Sequence, residues 1–473
     1  MTLHPQGLAL VSAVALAAIG CHALDVQTPD IVPPTSLNDP TALPTLRAGA
    51  IGDFEIAYDG SGAQGSSGTT EGQVAASGTI ADEWINTETF PDRVSADART
   101  VDPSSATYAN IFANLNRARV STENAAARFR AISPDTTKDP GLAEMLTLAG
   151  LTYVMLAENY CNGVPLDQLN PDGSVTHGIQ LTTNELLDTA QNRFTQALGA
   201  AQVLDTAGAP RRVRFVAFAS LGLARTLLDK GDIAGASAAA SDALVPTSFS
   251  YVVEHDLNSF RQQNGVFNGN RNFKRYGVAD KKGGVGFPYI TVVDPRTPTF
   301  RSPLTNLGFD KKTPQIDQLR YVDQKASTTV ATGAEARLID AEASLLAGDT
   351  VGFMGRLNAL RAAPPGYFLV GNPPSPIPVM VALTTPTSDT ASVSLLFAER
   401  ARWLWFTAHR LNDLRRLVRP VGQRGGYGLA VNSVFPNGPY FKNGLVFGND
   451  VNLPVPLTEQ NNPNFVQCID RNP

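Results

Sequence analysis

The stretch Glu399–Leu417 reads ERARWLWFTAHRLNDLRRL and carries the strongest helical pattern in the C-terminal part of the chain. Apolar residues recur at intervals of three and four residues along it: Phe397, Ala401, Leu404, Ala408, Leu411, Leu414 and Val418. This spacing places them on one face of a helix and leaves the charged residues on its flanks. The pattern predicts a single helix over residues 392–418 that packs its apolar face on a core.

The charges of this segment predict ion pairs along the same helix. Asp413 lies three residues from both Arg410 and Arg416, and residues at that spacing are neighbours on a helix surface. We interpret these charged residues, together with Arg400, as architectural. Two tryptophans of the segment, Trp403 and Trp405, are interpreted in the same way.

Two other stretches share one helix–turn–helix pattern. The sequences ARTLLDKGD (224–232) and AEASLLAGD (341–349) each place Gly-Asp seven residues after an alanine. Glycine tolerates the positive φ that ends many helices, and an aspartate there can cap the start of the next helix. The pattern is typical of tetratricopeptide-like units. Because the two copies lie about 117 residues apart, they are not consecutive repeats.

The rest of the chain divides into helical and loop-rich parts. Apolar periodicity predicts helices over 46–58, 106–132, 140–159 and 183–204, the last with Thr183 as its N-cap. Residues 248–325 are rich in Gly, Asn, Pro and aromatic residues and predict no strong helix, although 289–293 fits a short strand. The expected fold is therefore mostly α, with helix pairs as a scaffold and a large loop-rich region packed on it.

The N-terminus has the features of an export signal. Thirteen apolar residues, 8–20, would span about 20 Å as a helix, which is shorter than the roughly 30 Å of a membrane core. They end in AAIGC, which resembles a lipobox and predicts a signal peptide over 1–20 and lipidation of Cys21. Five prolines in residues 22–45 predict an extended tether over 21–45. The alternative is a plain secretory signal with Cys21 as an ordinary thiol.

Cysteine usage agrees with export. The chain has three cysteines, so a lipidated Cys21 leaves Cys161 and Cys468 in a compartment that permits disulfides. We expect these two to form a disulfide bond. The alternative is two unrelated buried thiols.

The C-terminal segment resembles a helix of the SusD/RagB family of outer-membrane nutrient-binding lipoproteins, which has the form E-R-x-x-E-L-x-F-E-G-x-R-x-x-D-L-x-R. The matching residues are Glu399, Arg400, Leu404, Phe406, Arg410, Asp413, Leu414 and Arg416, whereas Trp403, Thr407 and Ala408 depart from it. Three more segments resemble family motifs in the same order: LAGLTYVMLAENYCNGVPL (148–166), AEASLLAGD with LNALR (357–361), and VNLPVPLTEQNNPN (451–464).

The resemblance implies one SusD-like domain over 46–473. It also implies a lipid-anchored protein of the outer membrane, on the cell surface, that acts as a lid on a SusC-like TonB-dependent transporter. Such a protein captures an oligosaccharide or peptide nutrient and delivers it to the transporter. The alternative function is that of a tetratricopeptide-type lipoprotein that serves as a scaffold for protein assembly.

Several function classes lack support in the sequence. The net charge of -5 provides no basic field for nucleic acid, so no nucleic-acid partner is expected. The five histidines show no metal-binding spacing, and neither a G-x-S-x-G elbow nor a phosphate-binding P-loop occurs. We therefore expect neither an enzyme nor a cofactor or metal ion.

Two loop regions supply candidate ligand-binding residues. Residues 81–93, ADEWINTETFPDR, contain Trp84 and Asn86, and related proteins carry part of their ligand pocket in the corresponding region. Residues 267–289 contain Asn270, Tyr276 and Tyr289. Aromatic faces can stack on a ligand and amides can form hydrogen bonds to it. The alternatives are that Trp84 is a buried anchor of its loop and that the second region packs as an ordinary loop.

Overall fold

Helices form the scaffold of the computed structural model, which describes residues 38–63, 71–170, 174–205, 209–301 and 306–473. The predicted signal peptide, Cys21 and most of the predicted tether lie outside these ranges. Within them the α-helices are α1 (Leu43–Asp59), α2 (Gln73–Ile80), α3 (Pro91–Asp97), α4 (Ala106–Ile132), α5 (Gly141–Asn159), α6 (Thr183–Gln202), α7 (Ala209–Lys230), α8 (Ile233–Ala240), α9 (Gly265–Phe267), α10 (Gly333–Leu346), α11 (Thr350–Ala362), α12 (Asp389–Trp403), α13 (Arg410–Val418) and α14 (Val431–Val434).

The strands are short and pair in twos, all antiparallel. They are β1 (Trp84–Asn86), β2 (Val164–Pro165), β3 (Gln168–Leu169), β4 (Val175–Thr176), β5 (Gln180–Leu181), β6 (Ser250–Val253), β7 (Tyr276–Val278), β8 (Thr299–Arg301), β9 (Ile316–Gln318), β10 (Thr328–Thr332), β11 (Leu369–Val370) and β12 (Ser375–Pro376). The pairs are β1 with β7, β2 with β5, β3 with β4, β6 with β10, β8 with β9, and β11 with β12.

Consecutive helices pack on one another through their apolar faces. Helix α1 packs on α4, each helix from α4 to α7 packs on the next, and α10 packs on α8, α11 and α12. Helix α5 is long and apolar enough to cross a membrane, but 94% of its apolar stretch is buried inside the protein. It is therefore the core helix around which the N-terminal half of the scaffold is built.

Helix starts follow local capping chemistry. Helix α1 begins at Leu43, three residues inside the predicted tether, because Pro44 has the fixed φ that suits a first helical turn. Helix α6 is capped by Thr182 rather than by Thr183. The Thr182 hydroxyl accepts a hydrogen bond from the Glu185 N–H at 3.3 Å, and the Glu185 carboxylate accepts one from the Thr182 N–H at 2.7 Å.

The two Gly-Asp turns have the predicted geometry. Gly231 and Gly348 have φ of 84° and 74°, the region that glycine adopts without steric cost. The Asp232 carboxylate accepts the Gly235 N–H at 2.9 Å, and that of Asp349 accepts the Gly352 N–H at 2.8 Å. Each turn joins an antiparallel helix pair, α7 with α8 and α10 with α11, as in tetratricopeptide-like units.

The single helix predicted over 392–418 is wrong. The structure has two helices there, α12 and α13, separated by a turn over residues 404–409. Phe406 and Ala408 have φ of 54° and 59°, which ends the α-helical ladder because L-residues in that region cannot continue a right-handed helix. Trp405 and Phe406 in this turn are fully buried, so the turn inserts aromatic side chains into the core.

Of the ion pairs predicted within this segment, those of Asp413 with Arg410 and Arg416 are wrong, whereas Asp413 and Arg400 do form a pair. Asp413 pairs with Arg400 of α12, with Nη2 and Oδ1 2.8 Å apart, and Arg410 pairs with Asp82, with Nε and Oδ1 2.6 Å apart. Arg416 pairs with Glu342 of α10. Every residue of α13 is buried. Arg410, Asp413 and Arg416 therefore pair with buried groups of opposite charge on other elements rather than with one another on a solvated surface.

The loop-rich region covers one side of this scaffold. Residues 248–325 contain short strands and turns and no long helix among the residues described, as predicted, and residues 289–293 form turns rather than a strand. Near the end of α5, a disulfide bond joins Cys161 to Cys468, with the two Cα atoms 6.0 Å apart. The bond ties the last residues of the chain to the N-terminal half of the scaffold.

Candidate functional site

All five residues expected to bind ligand are buried, as in the alternative interpretation of Trp84 as a loop anchor. Their exposed fractions are 1% for Trp84, 0% for Asn86, 0% for Asn270, 3% for Tyr276 and 1% for Tyr289. A buried Tyr or Trp removes a large apolar area from water, so these rings stabilise the packing of the loops on the scaffold. In this structure none of the five presents its side chain to a ligand on the surface.

The aromatic members form one continuous chain of rings across the boundary between loops and scaffold. The Trp84 ring stacks on Phe406 with centroids 3.9 Å apart, and its other neighbour is Tyr276 at 6.2 Å. Phe406 lies 4.3 Å from Trp405, whose ring stacks on Tyr289 at 6.0 Å. The turn between α12 and α13 is therefore the point at which both loop regions attach.

Buried polar groups fix the ends of this chain of rings. The Glu83 carboxylate accepts the Phe406 N–H at 2.8 Å and so holds the turn in its left-handed conformation. The Asn270 amide donates to the Tyr276 carbonyl at 2.7 Å. The Asn86 side-chain oxygen accepts from Lys442 Nζ at 3.0 Å. Asn270 thus connects strands of the loop-rich region, and Asn86 connects β1 to the C-terminal loop that contains Lys442.

Burial raises the pKa of Glu83 to about 8, and this gives a testable pH dependence. Because the pKa in the folded state exceeds the ordinary value of 4.5, the protonated form stabilises the fold below pH 4.5. That contribution is lost as pH rises through about 8. The glutamine of Glu83→Gln stays uncharged at both pH values. We therefore expect the difference between the unfolding free energies at pH 5 and pH 8 to be smaller in this variant by at least about 1.4 kcal/mol, which corresponds to one pKa unit.

Denaturant titrations of both proteins at the two pH values measure this difference. Glu254→Gln is the matched control, because Glu254 is exposed. If Glu83→Gln and the control keep the same pH dependence as the original chain, Glu83 is ionised in the folded protein throughout the range.

A surface cleft lies directly beside the buried residues and is lined by their sequence neighbours. Its volume is about 430 Å³, within the range of small-molecule sites. Successive side chains of a strand point to opposite faces, so Ile85 faces the cleft while its neighbours Trp84 and Asn86 face inward. The apolar lining consists of Ile85, Val278, Ile290, Pro314, Ile316, Pro439, Phe441 and Phe447.

Two cations at the cleft form no direct ion pair with a carboxylate among the residues described. Lys281 and Arg301 are exposed and line the cleft, whereas the third cation, Lys282, is buried and pairs with Asp97 at 2.6 Å. Asp280 also lines the cleft and accepts the N–H groups of Ile290 and Thr291, each at 3.0 Å. Although burial opposes it, the hydrogen bonds from Thr291 lower the pKa of Asp280. The cleft therefore combines apolar walls with two available cations.

Phe441 is the aromatic side chain most available at the cleft. The residue is 50% exposed, and its ring lies tilted against that of Tyr440 with centroids 4.7 Å apart. The Tyr440 hydroxyl donates to the Asp97 carboxylate at 2.7 Å. A half-exposed ring held by a buried neighbour can stack on a ligand without first being ordered. Sequence reasoning missed Phe441 because it lies more than 150 residues after the two candidate loops.

Larger cavities lie on the helical scaffold. One of about 780 Å³ is lined by Arg47, Arg211 and Arg214 together with acidic residues, and one of about 720 Å³ lies between α1 and α4. Neither is formed by the loop-rich region or contains an aromatic ring as exposed as Phe441. We therefore assign the candidate site to the smaller cleft beside β1 and β7.

Solved structures of SusD-like proteins match this fold over most of the chain. A SusD superfamily protein from Bacteroides vulgatus ATCC 8482 aligns with a TM-score of 0.58 and 13% identity, covering 92% of this chain and 99% of its own. A SusD-like protein from Bacteroides fragilis NCTC 9343 aligns with a TM-score of 0.60 and 14% identity, covering 92% and 97%. A laminarin-binding SusD-like protein aligns with a TM-score of 0.58 and 15% identity, covering 91% and 99%.

No protein-family model and no curated protein sequence matches the chain. The structural matches confirm the predicted mostly α fold with its helix-pair scaffold, and they confirm the resemblance to the SusD/RagB family at the level of the fold.

Proposed function

We propose that this chain, which has the SusD-like fold, is a binding protein that captures an oligomeric nutrient in the cleft beside β1 and β7. The observation that carries the proposal is the cleft itself, which the loop-rich region forms on a fold shared with a laminarin-binding protein. That relative supports a glycan ligand, and the apolar walls are also compatible with a peptide. The cleft favours nutrient capture over the alternative of an assembly scaffold, which needs no such site.

The proposal includes anchoring and delivery. The chain is exported, lipidated at Cys21 and held by a tether on the surface of the outer membrane, where it passes its ligand to a SusC-like TonB-dependent transporter. The lipobox-like sequence before Cys21 supports the anchor, and the SusD-like fold supports the partner. The protein binds its ligand without turnover, since its sequence contains none of the catalytic motifs considered above.

A substitution at the cleft tests ligand binding. We expect Phe441→Ala to weaken binding of the responding oligosaccharide or peptide about tenfold, because one stacking ring and its buried area are lost. The melting temperature should change little, since the ring is half exposed. Calorimetric titration with a panel of soluble β-glucans, other oligosaccharides and peptides measures the affinity.

Phe260→Ala is the matched control, because Phe260 is exposed and does not line the cleft. Equal affinities of the two variants for a ligand that the original chain binds would move the site away from this cleft. A panel in which no oligomer binds would contradict nutrient capture itself.

The anchor and partner are tested by extracting the native membrane with mild detergent and capturing the protein. Mass spectrometry should identify an acylated peptide that begins at Cys21, together with a TonB-dependent barrel. Periplasmic assembly factors in place of the barrel would favour the scaffold function. An unlipidated protein in the soluble fraction would contradict the anchor.

A further inference from the structure

Three arginines at the end of α13 and just after it, two buried and one partly buried, have no carboxylate partner among the residues described. Arg415 and Arg419 are 1% and 2% exposed, and Arg424 lies in the loop that follows the helix. None of the three forms an ion pair within the part of the chain that the structure describes. A carboxylate that acts on all three is Asp229 of α7. Asn412 lies between Asp229 and Arg419: it donates to Asp229 at 2.6 Å and accepts from Arg419 at 3.1 Å.

The other nearby carboxylates already have partners of their own. Glu158 at the end of α5 pairs with Arg225, which donates to it at 2.7 Å, and Glu342 pairs with Arg416. These pairs are neutral. Asp470, whose charge also acts on Arg424, accepts a hydrogen bond from the neutral Asn162 amide at 2.7 Å. The three remaining guanidinium groups therefore share two carboxylates, Asp229 and Asp470, and the cluster carries an excess of positive charge.

Hydrogen-bond donors of the same three side chains lack acceptors. Arg415 donates to backbone carbonyls at the end of α5, including that of Ala157 at 3.2 Å, and Arg419 donates to the Arg424 carbonyl at 3.1 Å. However, Nε of all three arginines and Nη2 of Arg424 are buried and have no partner among the described residues. Unpaired buried donors are rare in native proteins and call for a bound water or ion.

Titration cannot remove this excess charge. Burial and neighbouring arginines lower the pKa values of Arg415 and Arg419, but a guanidinium group keeps its proton in proteins at neutral pH. Water molecules could accept the free N–H groups but would leave the charge in place. An anion would satisfy the donors and neutralise the charge together.

We infer that a small inorganic anion of the halide class binds between the guanidinium groups of Arg415, Arg419 and Arg424. The anion holds the loop that contains Arg424 against α13 and the end of α5. Arg424 has a φ of 46°, an unfavourable conformation for a side chain with a Cβ, and the bound anion compensates for it. This site lies in the scaffold and is independent of the nutrient cleft.

Thermal unfolding in mixtures of sodium chloride and sodium gluconate at constant ionic strength tests the inference. Gluconate is too large to enter a buried site, so replacing it with chloride should raise Tm by about 2–5 °C over a hundredfold rise in chloride. Arg424→Gln removes one of the three positive charges and should abolish most of this rise. In gluconate alone, the variant should melt at or above the Tm of the original chain.

Arg130→Gln is the control, because Arg130 is exposed and its loss changes the net charge equally. A Tm that does not respond to chloride, or that responds equally in all three proteins, would overturn the inference. A crystal grown in sodium bromide gives an independent result: an anomalous peak in contact with at least two of the three guanidinium groups is expected, and a site occupied by water alone contradicts the anion.

Discussion

Replacement of Trp84 by alanine is expected to lower the free energy of unfolding by about 3–5 kcal/mol, the usual cost of deleting a buried aromatic ring. The ring is 1% exposed and stacks on Phe406 at the turn between α12 and α13. Its surroundings are tight: a Cβ added at Gly78 would lie 2.8 Å from Trp84 Cδ1. The variant therefore leaves a cavity where both loop regions join the scaffold.

Denaturant unfolding of Trp84→Ala and Trp84→Phe measures this loss. Phenylalanine keeps a ring that can stack on Phe406. The loss of unfolding free energy in Trp84→Phe should therefore be less than half of the loss in Trp84→Ala. Ligand affinity of the folded Trp84→Phe protein should stay near that of the original chain, because Ile85 rather than Trp84 lines the cleft. A large loss of affinity without a loss of stability would instead place the Trp84 ring in the ligand site.

The contrast between Trp84 and Ile85 shows how far the sequence defines the site. Composition identified both loop segments, because Trp, Tyr and Asn in a loop are suited either to ligand contact or to buried anchoring. Whether a side chain of β1 contacts ligand or is a buried anchor depends on which face of β1 packs on the scaffold. That face is set by the pairing of β1 with β7, whose residues lie almost 200 positions apart in the chain. Phe441 belongs to a third segment, and its position at the cleft likewise depends on contacts between residues that are distant in the sequence.

The helical scaffold was more predictable because its signals are local. Caps such as Asp232 and Asp349 act within three residues, and apolar periodicity sets the buried face of α4 over its whole length. The turn after α12 was missed because the chain has Ala408 where the family pattern has glycine. The glycine of the family pattern indicates a turn at this position, because glycine adopts a positive φ without steric cost and Ala408 has a φ of 59°.

The charges of α13 were misinterpreted for a related reason. A helix that alternates apolar and charged residues resembles a surface helix, and the sequence does not show that other elements cover both of its faces. Each buried arginine of the helix then needs a partner from elsewhere in the chain; Asp82 supplies one for Arg410 and Glu342 one for Arg416, while Asp413 of the helix pairs with Arg400 of α12. Arg415 of the helix and Arg419, the residue that follows it, form no ion pair with the described residues.

The second large effect is expected for Arg410→Met, which removes the partner of Asp82. The two side chains form paired hydrogen bonds of 2.6 and 2.7 Å, and both are buried. Loss of one member of a buried pair leaves an uncompensated charge, so the free energy of unfolding should fall by about 3–5 kcal/mol at pH 7. Asp82 also accepts the Phe287 N–H at 2.7 Å, so the variant should loosen the loop beside the cleft as well.

The pH dependence of stability should change sign at this site. In the original chain Arg410 outweighs the effect of burial and lowers the pKa of Asp82 below 3.8, so the pair contributes stability above that pH and loses it only as pH falls through the lowered value. In Arg410→Met burial acts without Arg410 and should raise the pKa of Asp82 above its ordinary value. The variant should then lose stability as pH rises from 5 to 8, where the carboxylate ionises.

The double variant Arg410→Met/Asp82→Asn separates the lost pair from the stranded charge. Because it buries no charge at either position, it should recover a large part of the stability lost in Arg410→Met and show no added pH dependence between 5 and 8. Denaturant titrations of the single and double variants at both pH values provide the comparison. If the double variant is no more stable than Arg410→Met at pH 8, the cost lies in lost packing around the arginine side chain rather than in the charge of Asp82.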